Sequence, residues 1–174
     1  MSVTSVVEDA GKAVLKAVGV EPEAAQRDLL DTLKSEHDEV KALLKDLENA
    51  ETAAERKALV ESIKEALIPH AKAEEKVLYA AIMALRDKQA QLDGYEGTVE
   101  HGLAAETLQK LSGIANAMSP EHKAVAKVLR ELLEHHITEE ESNVWKDAKK
   151  HFSDDDRVAM NQQYLSAKAL VPVS

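Results

Sequence analysis

Two short stretches of this chain pair a histidine with a glutamate four residues on: His70 with Glu74 in PHAKAEEKVLY, and His136 with Glu140 in EHHITEEESNVW. On a helix of about 3.6 residues per turn, both members of such a pair project from one face. Around His136 that face is apolar, because Val125, Leu129, Leu132 and Leu133 lie eleven, seven, four and three positions before it, the periodicity of a buried stripe. Taking a carboxylate out of water beside an imidazole costs several kcal/mol unless it is compensated, and a metal ion is one such compensation. Taken singly, the segment also fits a satisfied core histidine with Glu139, Glu140 and Glu141 as a solvated edge.

A weak internal repeat changes that balance. EHDEVKALLKDL, from Glu36, matches EHGLAAETLQKL, from Glu100, in its Glu-His pair and two later leucines. HAKAEEKVLY matches HITEEESNVW in the histidine, the paired glutamates and the terminal aromatic. The histidines are separated by similar lengths in the two halves, 70 − 37 = 33 and 136 − 101 = 35. Each half thus supplies a lone histidine, His37 or His101, and one HxxxE pair. Four inward histidines and two inward glutamates suit a pair of metal ions with two bridging carboxylates. Imidazole with carboxylate favours iron, manganese or zinc over calcium or magnesium.

The elements that must position these groups are helices. Aromatics make up only 3% of the 174 residues while hydrophobic residues reach 44%, a composition of packed helices around one core. The expected fold is all-α: an antiparallel up-down-up-down four-helix bundle over 22–151, with an arm or short helix over 1–21 and a short helix and tail over 152–174. The periodicity predicts helices over about 22–49, 52–92, 98–118 and 120–151. Asp93, Gly94 and Gly97 read as the loop between the second and third. Thr52 with Glu55 and Ser119 with Pro120 are helix starts, and Ser153 with Asp154, Asp155 and Asp156 caps a last short helix. Pro69, directly before His70, either kinks the second helix or divides it.

Charge and composition remove several function classes. The net charge is -10 without a basic cluster able to track a phosphate backbone, so nucleic acid is a poor partner. The chain has no cysteine, which excludes disulfides, thiolate zinc sites and cysteine nucleophiles. The first twenty residues lack an unbroken hydrophobic run, and no stretch approaches the ~18 apolar residues of a membrane span. A cytoplasmic location with no membrane partner is the expectation.

Over roughly 37–145 the sequence resembles the hemerythrin family, in particular the bacterial group of HHE cation-binding domains; PHAKAEEKVLY and EHHITEEESNVW are the most specific parts of the likeness. The resemblance implies a four-helix bundle around two non-haem iron ions with a bridging oxo or hydroxo group, zinc or manganese being alternatives. It implies His37, His70, His101 and His136 as terminal ligands and Glu74 and Glu140 as bridges. Two departures bear on function. Oxygen-carrying members place a second histidine one turn after the third-helix histidine, where this chain has Ala105. They also end the last motif with Asp five residues after its histidine, whereas here the glutamate is Glu140 at four, with Glu141 as a rival.

With two histidines per metal, both ions could keep an open position, which suits reaction with dioxygen or peroxide better than reversible carriage. Tyr95, Glu106, His122 and His135 are candidates to fill the vacancy at Ala105. His135 otherwise reads as a rim or supporting group, His122 as solvated surface, and His151 as a helix-end cation. Tyr79 and Trp145, equivalent in the repeat, are expected to wall the core. Two functions fit: a di-iron protein reacting with dioxygen, hydrogen peroxide or nitric oxide, peroxide decomposition included, or a non-enzymatic module that senses or stores iron, oxygen or nitric oxide. The chain is expected to be a monomer or weak homodimer. The ferritin-like rival is absent, because no histidine has glutamate three positions before it.

Overall fold

Apolar residues at helical spacing and a set of local caps divide the chain into its elements. The computed structural model describes residues 21–173 together with Leu15, Ala17 and Gly19. The arm expected over 1–21 lies almost wholly outside these. Helix α1, Pro22–Ala25, is followed by α2, Leu29–Asn49. One helix over 22–49 is therefore interrupted, and the cause is Asp28, an extended residue whose carboxylate accepts from the Leu30 N–H and starts α2 afresh. The buried face of α2 carries Leu33, His37, Val40, Leu44 and Leu47.

Helix α3, Ala53–Glu74, opens on the capping box of Thr52 and Glu55 and runs on through Pro69 without a break. It continues into a π-helical turn, Glu75–Tyr79, and a last short piece, α4, Ala80–Met83. The chain then turns at 84–87, and α5, Lys88–Ser112, begins on Asp87, whose carboxylate accepts from the Gln89 and Ala90 N–H groups.

The loop expected at Asp93, Gly94 and Gly97 is thus the interior of α5. These glycines serve close packing. A Cβ at Gly97 would stand 2.6 Å from the Tyr79 hydroxyl oxygen and Cζ, and one at Gly94 would stand 2.8 Å from Met83 Cγ. The end of the second helical run passes too near α5 for any larger side chain.

Helix α6, Pro120–Glu139, starts on Ser119, passes through a second π-helical turn, Glu140–Val144, and ends as α7, Trp145–His151. Helix α8, Asp154–Ala169, opens on the capping box of Ser153 and Asp156. It packs on α1, α2, α3 and the first π turn, and its Tyr164 and Asn161 are fully buried. Arg157 Nε donates to Asp28 at 2.7 Å and Asn161 Nδ2 to the Ala24 carbonyl at 2.8 Å, so α8 also fixes the start of α2. Among the described residues there is no strand, and no helix is long and apolar enough to cross a membrane.

The long helices α2, α3, α5 and α6 each pack against two of the others. Their inner faces, together with the first π turn, α4, α7 and α8, form two apolar clusters. One gathers Leu29, Leu33, Leu78, Tyr79, Ile82, Trp145 and Tyr164, and the other Val40, Leu44, Ile63, Leu67, Leu108, Leu129 and Leu133. On each long helix the inward histidine falls between the two clusters in sequence, so the core is divided by a polar layer.

The glycine contacts give a paired test. Gly97→Ala should destabilise the protein by about 1–3 kcal/mol in urea unfolding, because it overpacks a buried aromatic ring. Gly102→Ala, on the same helix with nothing within 4 Å of the added methyl, should instead stabilise it by about 0.5–1 kcal/mol.

Candidate metal centre

The six inward residues of the two repeats all reach the polar layer. His37 comes from α2, His70 and Glu74 from α3, His101 from α5, and His136 with Glu140 from the α6 run. None is more than 3% exposed. Their atoms form two triads, His37 with His70 and Glu74, and Glu74 with His101 and His136; within each triad the ligand atoms lie within 4.8 Å of one another. Glu74 Oε2 stands 3.4 Å from Nε2 of both His70 and His101. Glu140 Oε2 stands 3.5 Å from Nε2 of both His37 and His136. Each carboxylate therefore touches one histidine of each pair.

The outer ring nitrogens meet a second set of carboxylates. Nδ1 of His70 lies 2.9 Å from Glu36, that of His136 2.8 Å from Glu100, that of His37 3.0 Å from Glu141, and that of His101 3.4 Å from Glu75. These partners close a circuit. Helix α2 gives His37 inward and Glu36 to the histidine of α3; α3 gives Glu74 inward and the following Glu75 to the histidine of α5. Helix α5 gives His101 and passes Glu100 to α6, and the α6 run gives Glu140 and passes Glu141 back to α2. A carboxylate on the outer nitrogen fixes the tautomer and aims Nε2 inward.

Helix α8 braces this circuit at one point. The Tyr164 hydroxyl donates to Glu36 Oε2 at 2.6 Å, and Lys168 Nζ approaches the same oxygen at 2.8 Å. Burial works against the Glu36 charge, yet His70 and Lys168 hold its carboxyl down at about 2.

The inner groups have a sharply uneven electrostatic environment. Burial acts against charge on His70, but Glu74 and Glu36 outweigh it and push the imidazole up to about 10. Burial would raise Glu74, and the His70 charge with hydrogen bonding from His101 and His70 instead holds it well below the usual carboxylate range. Glu140 goes the other way, raised by burial and by the Glu74 charge. Without a cation, two buried carboxylates cannot share this space as anions at little cost.

The two π turns fall within one residue of equivalent places in the repeat, five residues after His70 and four after His136. Ala80 N–H bonds the Glu75 carbonyl and Trp145 N–H the Glu140 carbonyl, each five residues back. Such a turn inserts one residue into the helix and rotates the residues beyond it. At these two places the rotation acts on the wall residues. Tyr79 packs by His101 with ring centres 5.4 Å apart, and Trp145 stacks on His37 at 5.8 Å while donating Nε1–H to Glu140 Oε1 at 3.2 Å. The Tyr79 hydroxyl is fully buried without a hydrogen-bond partner. Beside it lies a cavity of about 20 Å³, lined also by Gly97, Glu100, His136 and Glu140, with room for about one small molecule.

The other expected candidates are placed elsewhere. Tyr95 is 62% exposed and Glu106 is exposed. At about 100° per residue they stand roughly 120° and 140° off the His101 face of α5. His135 points outward and meets Glu100 and Glu139. His122 is buried, not solvated, and lines a cavity with Arg56 and Leu47 where α6 begins, about 21 Å along the helix from His136. Burial and the neighbouring Arg56 charge lower its pKa. Glu141 lies on His37 Nδ1, and Glu140 is the inward member of the pair. His151 is exposed at the end of α7. Sequence reasoning overlooked Glu36, Glu75, Glu100, Tyr164 and Lys168. The first three had a signal, each being next in sequence to an inward residue.

The donor set fits a metal-cation site. His37 Nε2, both Glu74 oxygens and Glu140 Oε2 are buried with no hydrogen-bond partner, so four polar atoms in the dry layer lack compensation from the protein itself. Nitrogen and oxygen donors of this kind suit iron, manganese or zinc. Comparison with curated proteins and with solved structures gave no match. The family model for the hemerythrin HHE cation binding domain matches residues 28–148, which takes in every residue of the polar layer except Tyr164 and Lys168. By that match, and with these His and Glu clusters to bind metal, the chain belongs to the hemerythrin family of HHE cation-binding domains.

Proposed function

We propose that the polar layer holds two non-haem iron ions and that the protein binds and reacts with dioxygen or hydrogen peroxide, peroxide decomposition included. One observation carries this reading: each of two buried carboxylates contacts one histidine from each of two pairs. His37 and His70 would hold one iron, His101 and His136 the other, with Glu74 and Glu140 shared between them. Two adjacent irons supply paired one-electron changes, which is what cleaving or forming an O–O bond requires.

The chain's own groups determine what reaches that centre and how it is held. The cavity by Tyr79 admits a molecule of the size of water, dioxygen or nitric oxide. The unpartnered Tyr79 hydroxyl offers a hydrogen bond there, and burial with the surrounding glutamates raises its pKa well above 10, so it stays a donor. Trp145 and Tyr79 keep bulk water off the inner nitrogens. Glu36, Glu75, Glu100 and Glu141 hold the imidazoles in register.

The same reading takes α2, the α3 run, α5 and the α6 run as an antiparallel up-down-up-down bundle. Its support is the order in which the helices meet the two apolar clusters. Helix α2 passes Leu33 before Val40 and α5 passes Ala90 before Leu108, while α3 and α6 traverse the clusters in the reverse order.

A second reading, a non-enzymatic sensing or storage module, is favoured by α8. Tyr164 and Lys168 tie this helix to Glu36 and through it to His70, so a change at the centre has a direct mechanical line to a terminal element.

Protein purified without added metal should contain about two iron atoms per chain, falling in both His37→Ala and His136→Ala. Gas release on adding hydrogen peroxide to the loaded protein separates the reactive reading from the sensing one. Tyr79→Phe should keep its iron content and bind azide about fivefold more weakly in an absorption titration, the effect of one lost donor.

The metal-stripped protein should show a distinctive pH profile. The Glu36 contribution is complete above its unfolded value of 4.5 and is lost as pH falls towards 2. The His70 contribution is complete below 6.5 and is lost as pH rises towards 10. Urea midpoints of chelator-treated protein should therefore fall from about pH 5.5 to about pH 9, while those of loaded protein hold, because metal binding needs neutral imidazoles.

A further inference from the structure

We propose that Glu100, His135 and Glu139 form a second divalent-cation site on the surface, at the mouth of the cavity beside the buried centre, and that metal enters there. The three residues bring ligand atoms within 4.8 Å of one another. His135 Nε2 stands 3.6 Å from Glu100 Oε1 and 3.5 Å from Glu139 Oε2. Their side chains are open to solvent to different degrees, 58% for His135, 41% for Glu139 and 12% for Glu100, so the triad grades from the surface inward. Among the described residues, no lysine or arginine lies within ion-pair distance of Glu100 or Glu139. One imidazole and two carboxylate oxygens, without a competing cation from the chain, are a donor set for a divalent transition metal.

A second observation links the triad to the interior. Glu100 and Glu139 line the cavity that is also lined by His136, Glu140 and Tyr79, whose hydroxyl is buried and unpartnered. Asp93 and Glu96 add negative charge to that lining, which among the described residues contains no lysine or arginine. Glu100 faces both ways. Its Oε2 accepts from His136 Nδ1 at 2.8 Å, and its Oε1 points to His135. Consecutive histidines on α6 thus stand about 100° apart, one in the surface triad and one in the polar layer, on opposite oxygens of a single carboxylate. A cleft lined by one sign of charge concentrates the opposite ion and speeds its arrival. The net charge of -10 gives the whole chain the same sign.

The entry role rests on the reading of the buried centre as an iron site, whereas the surface triad stands without it. Full-length protein, first saturated with iron, is titrated with Zn2+ by calorimetry, and iron is measured before and after. The wild type and His151→Ala, a surface histidine elsewhere, should bind one further ion per chain that His135→Ala and Glu139→Gln do not. In stopped-flow loading of the metal-free chain with Fe2+, Glu139→Gln, which removes one charge from the cavity lining, should reach the same final iron content about tenfold more slowly, at the low end of what charge focusing supplies. A zinc stoichiometry unchanged in His135→Ala overturns the site, and an unchanged uptake rate overturns the entry role. If no variant takes up iron while the zinc result distinguishes them, the reading of the buried centre fails and the surface site is upheld.

Discussion

Glu74 and Glu140 sit 0% and 2% exposed between two apolar clusters, and the arrangement of the rest of the molecule answers the cost of putting them there. Desolvating an ion costs several kcal/mol even after relaxation, against a total stability of only about 5–15 kcal/mol for a domain of this kind. Two such groups side by side, with three of their four oxygens unpartnered, would be prohibitive in a purely apolar core. Each therefore faces two imidazoles, and each imidazole in turn faces a further carboxylate. Of the six glutamates of this layer, Glu36, Glu75 and Glu141 also meet lysines, Lys168, Lys72, Lys34 and Lys41, so the chain's own cations serve the outer ring. Among the described residues the inner pair, Glu74 and Glu140, forms ion pairs only with histidines and is suited to a metal cation.

The outer carboxylates are distributed so that none serves a histidine of its own helix. Glu36 and His37 are neighbours in sequence, but Glu36 serves His70 on α3, and His37 is served by Glu141 from the far end of the chain. The same displacement recurs at Glu75 and Glu100. A circuit of this kind makes the register of the four long helices interdependent, since sliding one by a turn would strip two histidines of their partners at once. Helix α8 joins the circuit through Tyr164 and Lys168, and so is part of the polar layer's support, although it lies outside the repeat.

Close packing and local helix irregularity provide the remaining geometry. The glycines of α5 let Tyr79 and Met83 approach the helix backbone. The π turns, one directly after Glu74 and one beginning on Glu140, carry Tyr79 and Trp145 round to cover His101 and His37. A regular α-helix would place those aromatic rings about 100° away on the helix surface.

The all-helical character, the capping box at Thr52, the helix cap at Ser153, and the six inward residues were legible from the chain alone, because each depends on spacing within one helix. His37, His70, Glu74, His101, His136 and Glu140 sit on apolar stripes whose periodicity shows their direction without knowledge of any neighbour. The second helix boundary was misread for the complementary reason: Gly94 and Gly97 carry turn chemistry by themselves, and only the nearness of Met83 and Tyr79 explains them as packing residues. His122 looked like surface because its first-turn position is polar, and it is buried where α6 begins, beside a cavity that Arg56 and Leu47 of other helices also line. Which glutamate orients which histidine, the reach of α8 to Glu36, and the meeting of His135 with Glu100 and Glu139 were decided by tertiary structure alone. Those contacts join residues on different helices, and a one-dimensional period can say which way a side chain faces but not what stands opposite it.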